Sequence, residues 1–224
     1  MKNFELFSTS IGILGSEQTD EVSDQKTFIV YGVPRGGTTM VARVVEQLGV
    51  PMGKNLPLNY EDQDFNFDKM SDQLKADPAL MHQALRRAIR KRNQEYQVWG
   101  WKYPRAHRYL PAILENIRRP HLICVMRDPV ASSFRPLRRR SNGSSSGRET
   151  SALRLMKQHL NWQEQNLDLI HQFGCPALMC SYEKSILQPD DFVRELSGFM
   201  GLGSDEVNVQ RAIEQIKPGS YIQA

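Results

Sequence analysis

The residues best suited to chemistry lie in a glycine-rich run at positions 32–39, which reads Gly-Val-Pro-Arg-Gly-Gly-Thr-Thr. A run of β-branched and aromatic residues at 27–31 comes before it, and three valines and a leucine at helical spacing come after it. This order predicts a buried strand, a tight turn and a helix. Glycines let the backbone approach an anion, and the first turn of a helix offers free N–H groups. The turn is therefore expected to bind a phosphate of a nucleotide.

The run begins like a Walker A loop, since Gly32 and Gly37 are five positions apart. Thr38, however, occupies the position of the lysine that such loops place on the β- and γ-phosphates of a nucleotide. This replacement argues against triphosphate chemistry. The loop is better suited to a 5′-phosphate that bears one further group.

Three further apolar runs predict the strands that must position this loop, at 97–101, 122–126 and 177–180. Helical patterns separate these strands and cover residues 78–92, 105–117, 128–140 and 149–173. Strands that alternate with helices pair in parallel through right-handed crossovers, and continuous apolar strands are covered on both faces. The predicted fold class is therefore α/β, a three-layer arrangement with a parallel sheet between helices on both faces.

The polar segments 32–39, 102–105 and 127–133 each follow a predicted strand. Ligands in such folds bind at the carboxyl ends of the strands, so the three segments are expected to meet at one edge of the sheet. Charged residues beside strand ends rarely serve packing, which favours a binding role for Arg35 and Arg127.

The length of 224 residues, with 40% apolar and 24% charged residues, suits one globular domain, which we place at residues 27–224. Residues 1–26 are mostly polar around one short apolar piece and are interpreted as a lead-in segment. The polar, low-complexity run at 141–147 predicts a mobile loop at 141–148, either a plain surface connection or a lid over the ligand. The connection at 50–66 is long for a compact domain and is expected to be functional.

The charge distribution indicates an anionic ligand, because the formal net charge is +4 and the arginines are clustered. Seven of them fall within 28 residues, at positions 127, 135, 138, 139, 140, 148 and 154. The three cysteines have neither a disulfide pattern nor metal-ligand spacing, so free thiols and no metal site are expected. The pattern predicts neither a signal peptide nor a membrane-spanning segment, which favours a cytoplasmic protein.

Four motifs, in order along the chain, resemble those of bacterial, glycan-type sulfotransferases. They are Pro-Arg-Gly-Gly-Thr-Thr at 34–39, Trp-Lys-Tyr-Pro at 101–104, Met-Arg-Asp-Pro at 126–129, and Ser-Tyr-Glu with Phe-Met-Gly-Leu at 181–183 and 199–202. The first resembles the family's 5′-phosphosulfate loop, and the third resembles the strand end that holds a 3′-phosphate. The resemblance implies a P-loop-like sulfotransferase fold.

The resemblance also implies that 3′-phosphoadenosine 5′-phosphosulfate (PAPS) is the co-substrate and that no metal is needed. The loop residues that it assigns to the 5′-phosphosulfate are Arg35, Gly36, Gly37, Thr38 and Thr39. It assigns the 3′-phosphate to Arg127. The family's second 3′-phosphate ligand is a serine eight residues later, where this chain has Arg135, so Ser132, Ser133 or Arg135 is expected to complete the contact.

The implied reaction is an in-line attack of an acceptor hydroxyl on sulfur, with 3′,5′-adenosine bisphosphate as the leaving group. Arg35 and Lys102 are expected to neutralise the charge that builds on the leaving phosphate. Glu61 is the first candidate for the base that deprotonates the acceptor, because a glutamate shortly before aromatics resembles the glycan-type pattern. Asp62 and His107 are the alternatives.

Two other functions compete with a sulfotransferase that acts on a glycan or small-molecule hydroxyl. A nucleotide or sugar kinase with a decayed Walker loop would use Asp128, after the 122–126 strand, as a metal ligand, and would need Mg²⁺. A non-catalytic anion- or RNA-binding module would use the basic region 127–154. That region lacks the interleaved aromatic and basic residues of an RNA-binding sheet, so no nucleic-acid partner is expected.

Overall fold

The computed structural model describes residues 4–13, 15, 25–138, 145–203 and 205–217, and its centre is one six-stranded sheet. The strands are β1 (Phe4–Leu6), β2 (Ser10–Ile13), β3 (Lys26–Gly32), β4 (Val98–Lys102), β5 (Pro120–Met126) and β6 (Ala177–Ser181). Their order across the sheet is β1-β2-β6-β5-β3-β4. The pairs β6–β5, β5–β3 and β3–β4 are parallel, as the alternation of strands and helices predicts.

Nine α-helices lie in the described part of the chain. They are α1 (Thr38–Gln47), α2 (Asp72–Ala76), α3 (Pro78–Glu95), α4 (Leu110–Ile113), α5 (Pro129–Arg138), α6 (Ser145–Phe173), α7 (Tyr182–Leu187), α8 (Pro189–Met200) and α9 (Glu206–Glu214). None of these helices is long and apolar enough to cross a membrane, as far as the described residues extend.

The sheet separates two hydrophobic cores, which confirms the predicted three layers. Phe28 and Val30 of β3 face a core that includes α1, α8 and α9. Ile29 and Tyr31 face the other core, which includes α3, α4 and α6. Alternate side chains of a strand point to opposite faces, so residues 28–31 of β3 are all apolar because both faces are covered.

The register of the parallel strands brings the predicted functional segments to one edge. Val30 pairs with Lys102 and Gly32 pairs with Val125, so β3, β4 and β5 end at nearly the same level. The glycine-rich loop, Lys102 and Arg127 therefore emerge side by side at the carboxyl ends of the strands.

The N-terminal segment differs from the lead-in that the sequence predicts. β1 and β2 form a hairpin, and β2 pairs antiparallel with β6. Residues 4–13 of the predicted lead-in segment therefore belong to the same sheet as the strands of the predicted domain. The Glu195 carboxylate on α8 accepts hydrogen bonds from Thr9 and from the Ser10 hydroxyl, the latter at 2.7 Å. This contact fastens the hairpin to the domain.

Two further predictions, one of a helix and one of a loop, also need correction. The predicted helix at 105–117 is instead α4 flanked by the 3-10 turns Ala106–Arg108 and Leu114–Asn116. Pro111 lies at the start of α4 and has no N–H, so the helical hydrogen bonds cannot run through it. Residues 141–144 of the predicted mobile loop lie outside the described residues, whereas residues 145–148 form the first turn of α6.

Candidate active site

The glycine-rich loop connects β3 to α1 through a tight turn in which the Gly36 N–H donates to the Val33 carbonyl at 2.9 Å. Gly37 precedes α1 with a φ of 95°, a conformation that favours glycine. A Cβ atom on Gly37 would lie 2.1 Å from the Tyr182 ring. The loop therefore packs directly on this aromatic ring, and only a residue without a side chain fits there.

Arg127 supports the same loop from the end of β5. Its guanidinium stacks on the Tyr182 ring, the same ring on which the loop packs, and lies 4.3 Å from the ring centroid. Its Nη1 donates to the Arg35 carbonyl at 2.6 Å, and its Nε lies 3.7 Å from Glu183 Oε1. The side chain is 2% exposed. The residue expected to bind the 3′-phosphate thus also fixes the backbone of the phosphate loop.

Arg35 adopts a left-handed backbone conformation, with a φ of 67°. Such a conformation is unfavourable for any residue with a Cβ atom, and it persists where surrounding contacts hold it. Here the hydrogen bond from Arg127 to the Arg35 carbonyl is one such contact. The loop therefore places an arginine side chain beside the helix N-terminus at some cost to stability.

Lys102 and Glu61 form an ion pair at the end of β4. Lys102 Nζ donates to Glu61 Oε1 at 2.9 Å, and the lysine side chain is 2% exposed. The backbones of the two residues also pair as a short parallel bridge. Burial lowers the pKa of Lys102, Glu61 opposes that shift, and the positive charge of Arg35 adds to it. An anion placed here would favour the charged lysine.

Asp62, the neighbouring candidate for the base, is turned away from Lys102. Its Oδ2 lies 2.7 Å from Nη2 of the buried Arg92, and its Oδ1 accepts the Asp64 N–H at 3.0 Å. Burial raises the pKa of Asp62, and the hydrogen bond from the Asp64 N–H and the charge of Arg92 act against that rise. Since both carboxylate oxygens have partners inside the protein, Asp62 is placed to stabilise the segment.

These groups surround a cleft of about 480 Å³. Its lining is Pro34, Arg35, Gly37, Thr38, Thr39, Met40, Asn59, Glu61, Lys102, Pro104, Arg127 and Tyr182. Seven residues predicted from the sequence are in that set: Arg35, Gly37, Thr38, Thr39, Glu61, Lys102 and Arg127. The Thr39 hydroxyl donates to the Asn59 carbonyl at 3.1 Å, so this side chain ties α1 to the segment that ends at Glu61.

The structure places His107 elsewhere. It lies in the 3-10 turn Ala106–Arg108, with Nδ1 3.2 Å from Asn166 Oδ1 on α6, and it is not among the residues that line the cleft. Burial lowers the pKa of His107. Of the described candidates for the base, Glu61 is therefore the one whose carboxylate reaches the cleft.

Ser132 and Ser133 are buried near the start of α5. Both hydroxyls donate to the Pro129 carbonyl, and Ser132 Oγ also has a hydrogen bond with His159 Nδ1 on α6. The side chain of Arg135 lies outside the described residues. In this structure Ser132 connects α5 to α6, Ser133 bonds within α5, and neither lines the cleft.

Sequence reasoning did not single out Asn66 or Asn59. Asn66 Nδ2 donates to Glu61 Oε2 at 2.9 Å, while its Oδ1 accepts the Asp68 N–H at 3.0 Å. The spacing Asn-x-Asp is typical of a side chain that caps a local turn, and this was the available signal. It indicates a turn, but it does not indicate which carboxylate the amide contacts.

Comparison with known proteins gives a family and a fold. The sequence matches a model of the sulfotransferase family over residues 27–206, and no curated protein matches it. The sulfotransferase domain of the Synechococcus PCC 7002 olefin synthase is 17% identical, with 93% of this chain and 86% of that chain covered and a TM-score of 0.53. The sulfotransferase domain from the curacin biosynthetic pathway is 15% identical, with 90% and 82% covered and a TM-score of 0.51.

A mouse sulfotransferase complexed with PAP is 12% identical, with a TM-score of 0.51. The comparison covers 88% of this chain and 65% of the mouse chain, which is less than two thirds of its length. At these identities the likeness of the structures shows the P-loop-like α/β fold. Because the family match extends over most of the sequence and contains the loop, Glu61, Lys102 and Arg127, the chain belongs to the sulfotransferase family.

Proposed function

We propose that this protein transfers a sulfuryl group from PAPS to a hydroxyl of a glycan or small-molecule acceptor. The observation that carries the proposal is the Lys102–Glu61 pair, which lies in the same cleft as the phosphate loop. One group can hold a positive charge beside the leaving phosphate, and the other can accept a proton from the acceptor. Both are needed for the transfer.

The donor side of the cleft suits a phosphosulfate. The first N–H groups of α1 and the positive end of its dipole meet the loop, and Arg35 and Lys102 add two cationic side chains. Arg127, at the end of β5, adds a third positive charge for the second phosphate of the donor. When bound, PAPS supplies the activated sulfuryl group, and these residues bind and orient it.

The acceptor side is defined by Glu61. The acceptor oxygen forms a bond to sulfur while the bond from sulfur to the 5′-phosphate oxygen breaks. The acceptor proton moves to the Glu61 carboxylate, and the electron pair of the broken bond stays on the phosphate oxygen. Negative charge thus leaves Glu61 as it appears on the phosphate. Lys102 Nζ lies 2.9 Å from Glu61 Oε1 and lines the same cleft, so its ammonium group can exchange the Glu61 carboxylate for the leaving phosphate as its partner.

The kinase alternative has weaker support. Its metal ligand would be Asp128, but Asp128 Oδ1 accepts the Ala131 N–H at 2.7 Å and so caps the start of α5. The Asp128 N–H in turn donates to Glu183 Oε1. These contacts give Asp128 a structural role at the start of α5, which weakens the case that it is a metal ligand.

Calorimetric titration tests the proposal. Wild type, Arg35→Ala and Arg127→Ala are titrated with 3′,5′-adenosine bisphosphate and with ATP in the presence of a chelator. We expect the bisphosphate to bind wild type, and each variant to lose at least about tenfold in affinity, because a charge-assisted contact is worth about 1.5–3 kcal/mol. Arg194→Ala is the control, since Arg194 lies exposed on α8 and pairs with Glu206 of α9.

Turnover completes the test, with PAPS and a panel of glycan and small hydroxyl acceptors in chelator. Sulfated product from wild type, and its loss in Lys102→Met and Glu61→Gln, would support the proposal. ATP binding that appears only when the titration is repeated with Mg²⁺ in place of the chelator, together with no bisphosphate binding, would overturn it in favour of a kinase.

A further inference from the structure

Glu61 is followed closely by two consecutive 3-10 turns, Gln63–Phe65 and Phe67–Lys69. Each turn is capped by the residue before it: Asp62 Oδ1 accepts the Asp64 N–H, and Asn66 Oδ1 accepts the Asp68 N–H, both at 3.0 Å. Both capping side chains are buried although the turns lie at the surface. Burial of a polar group is unfavourable unless all of its polar atoms find partners.

Each capping side chain has a second polar atom, and these atoms contact different groups. Asp62 Oδ2 lies 2.7 Å from Arg92 Nη2 on α3. A Cβ atom on Gly53 would lie 2.6 Å from Asp62 Oδ2, so the backbone around residue 53 closes this ion pair from the other side. The pair holds residue 62, and with it the backbone next to Glu61.

Asn66 acts on the Glu61 carboxylate directly. Lys102 Nζ donates to Oε1 and Asn66 Nδ2 donates to Oε2, each at 2.9 Å, so both oxygens are fixed by donors from different elements. The orientation of the Asn66 amide follows from its own hydrogen bonds. Its oxygen must face the Asp68 N–H, so its NH₂ group must face Glu61.

We propose that Asn66 is a positioning residue for the base of the sulfuryl transfer, and that the Asp62–Arg92 pair holds the turn from which Asn66 acts. This inference rests on the proposed function, in which Glu61 accepts the acceptor proton. Asn66 keeps Oε2 in one orientation and stabilises the ionised carboxylate by a neutral donor. Lys102 is thereby left as the charged partner that can turn to the phosphate.

The test is Asn66→Asp, which retains an oxygen for the Asp68 N–H but replaces the donor to Glu61 by a carboxylate oxygen. We expect kcat to fall about 10- to 100-fold, because small errors in the placement of a reacting group cost that much. The affinity for 3′,5′-adenosine bisphosphate is expected to stay within about threefold. A second carboxylate beside Glu61 favours the protonated form, so the acidic limb of the pH profile of kcat should move to higher pH.

Asn93→Asp is the matched control. Asn93 does not line the cleft, and its Oδ1 accepts the Trp99 Nε1–H at a distance of 3.0 Å. Asn93→Asp therefore makes the same change of charge and keeps the acceptor oxygen. Its kcat and its acidic limb are expected to match wild type. A merely structural role of Asn66 would lower stability without moving the acidic limb, and that result would overturn the inference.

A double-mutant cycle separates the two proposals. If Asn66 acts through Glu61, Asn66→Asp should change kcat by less than about twofold in a Glu61→Gln background. Full turnover by Glu61→Gln alone would refute the role of Glu61 as base. A Glu61→Gln with strongly reduced but measurable kcat, combined with wild-type kcat in Asn66→Asp, would refute the positioning role alone. Should Asn66→Asp not fold, Asn66→Ser retains a cap but cannot reach Glu61. Wild-type kcat in Asn66→Ser would likewise overturn the inference.

Discussion

Lys102 carries its charge in surroundings that disfavour it. The ammonium group is buried at the end of β4, and burial lowers the pKa of Lys102 from its ordinary value of 10.5, with Glu61 opposing the shift. Binding of the anionic phosphosulfate of the proposed donor next to it would favour the charged form again. A lysine in this state is ready to exchange one anionic partner for another, which the proposed transfer requires.

The pH dependence of turnover at alkaline pH tests this state. Lys102 is charged below its pKa and neutral above it, so kcat/KM should fall as the pH rises through a value below 10.5. Lys102→Arg stays charged throughout that range, so its alkaline limb should move to higher pH, although its rate will be lower because the geometry differs. Lys54→Arg, at an exposed lysine paired with Glu95, should keep the wild-type limb. If the alkaline limb of kcat/KM in Lys102→Arg stays at the wild-type pH, the titration belongs to another group.

The identities of the cleft residues could be predicted from the sequence more completely than their contacts. The glycine-rich turn and the residues at the carboxyl ends of β4 and β5 belong to local patterns, so the sequence predicts Arg35, Lys102 and Arg127. The contact from Arg127 to the Arg35 carbonyl joins residues 92 positions apart, and no local pattern encodes it. The same limit applies to Asn66, whose amide could have capped a turn without touching Glu61.

At the scale of elements, the junction of the glycine-rich loop and α1 depends on the Tyr182 ring against which Gly37 packs. Gly37 has a φ of 95° and no room for a Cβ atom, whereas Gly49, after α1, has a φ of 102° and open space around it. Both positions penalise alanine through the backbone, by about 1–2 kcal/mol. Only Gly37 adds a steric conflict with an aromatic ring.

Comparison of Gly37→Ala with Gly49→Ala separates these two effects. Gly49→Ala should lower the free energy of unfolding by about 1–2 kcal/mol and leave the affinity for 3′,5′-adenosine bisphosphate unchanged. Gly37→Ala should lower stability further and weaken the bisphosphate at least about tenfold, because the Tyr182 ring and the Arg127 stacked on it must move. Urea unfolding and calorimetry measure the two quantities. Equal affinities of the two variants for the bisphosphate would show that the packing of Gly37 on the Tyr182 ring does not shape the binding site.

Elements with strong local signals were predicted well, and elements that depend on distant partners were not. The four parallel strands are runs of apolar residues, and they were found within a few positions. β1 and β2 are three and four residues long. β1 pairs with β2, and β2 depends on its pairing with β6 and on the hydrogen bond from Ser10 to Glu195, 185 residues away. Such short strands have no periodicity of their own to detect.

At the scale of the whole molecule, the sheet and α8 enclose a titratable group in the core. His121 lies in β5, with its ring 5.2 Å from Phe28 and 5.8 Å from Phe199. Its Nδ1 lies 2.8 Å from the Arg119 carbonyl, which requires a proton on that nitrogen. Burial lowers the pKa of His121 from 6.5 to about 4, so the folded protein holds this ring neutral.

Stability should therefore decrease on mild acidification. The unfolded chain takes up a proton on this histidine below pH 6.5, whereas the folded chain does so only near pH 4, so stability is lost between these values. From pH 7 to pH 5 the contribution of His121 amounts to about 2 kcal/mol, at about 1.4 kcal/mol per pH unit. Urea unfolding of wild type and His121→Phe at both pH values isolates it, because the other titratable groups are common to both proteins. An equal loss in both proteins would contradict the assignment.

The left-handed backbone at Arg35 has a consequence for the history and engineering of this chain. Glycine at position 35 would relieve about 1–2 kcal/mol of backbone strain, so selection for thermal stability alone would favour it. The same exchange would remove a cationic side chain from the donor cleft. Under the proposed function, stability and donor binding are thus in direct competition at Arg35, and a screen that rewards only heat resistance is expected to select a more stable protein that binds the donor more weakly.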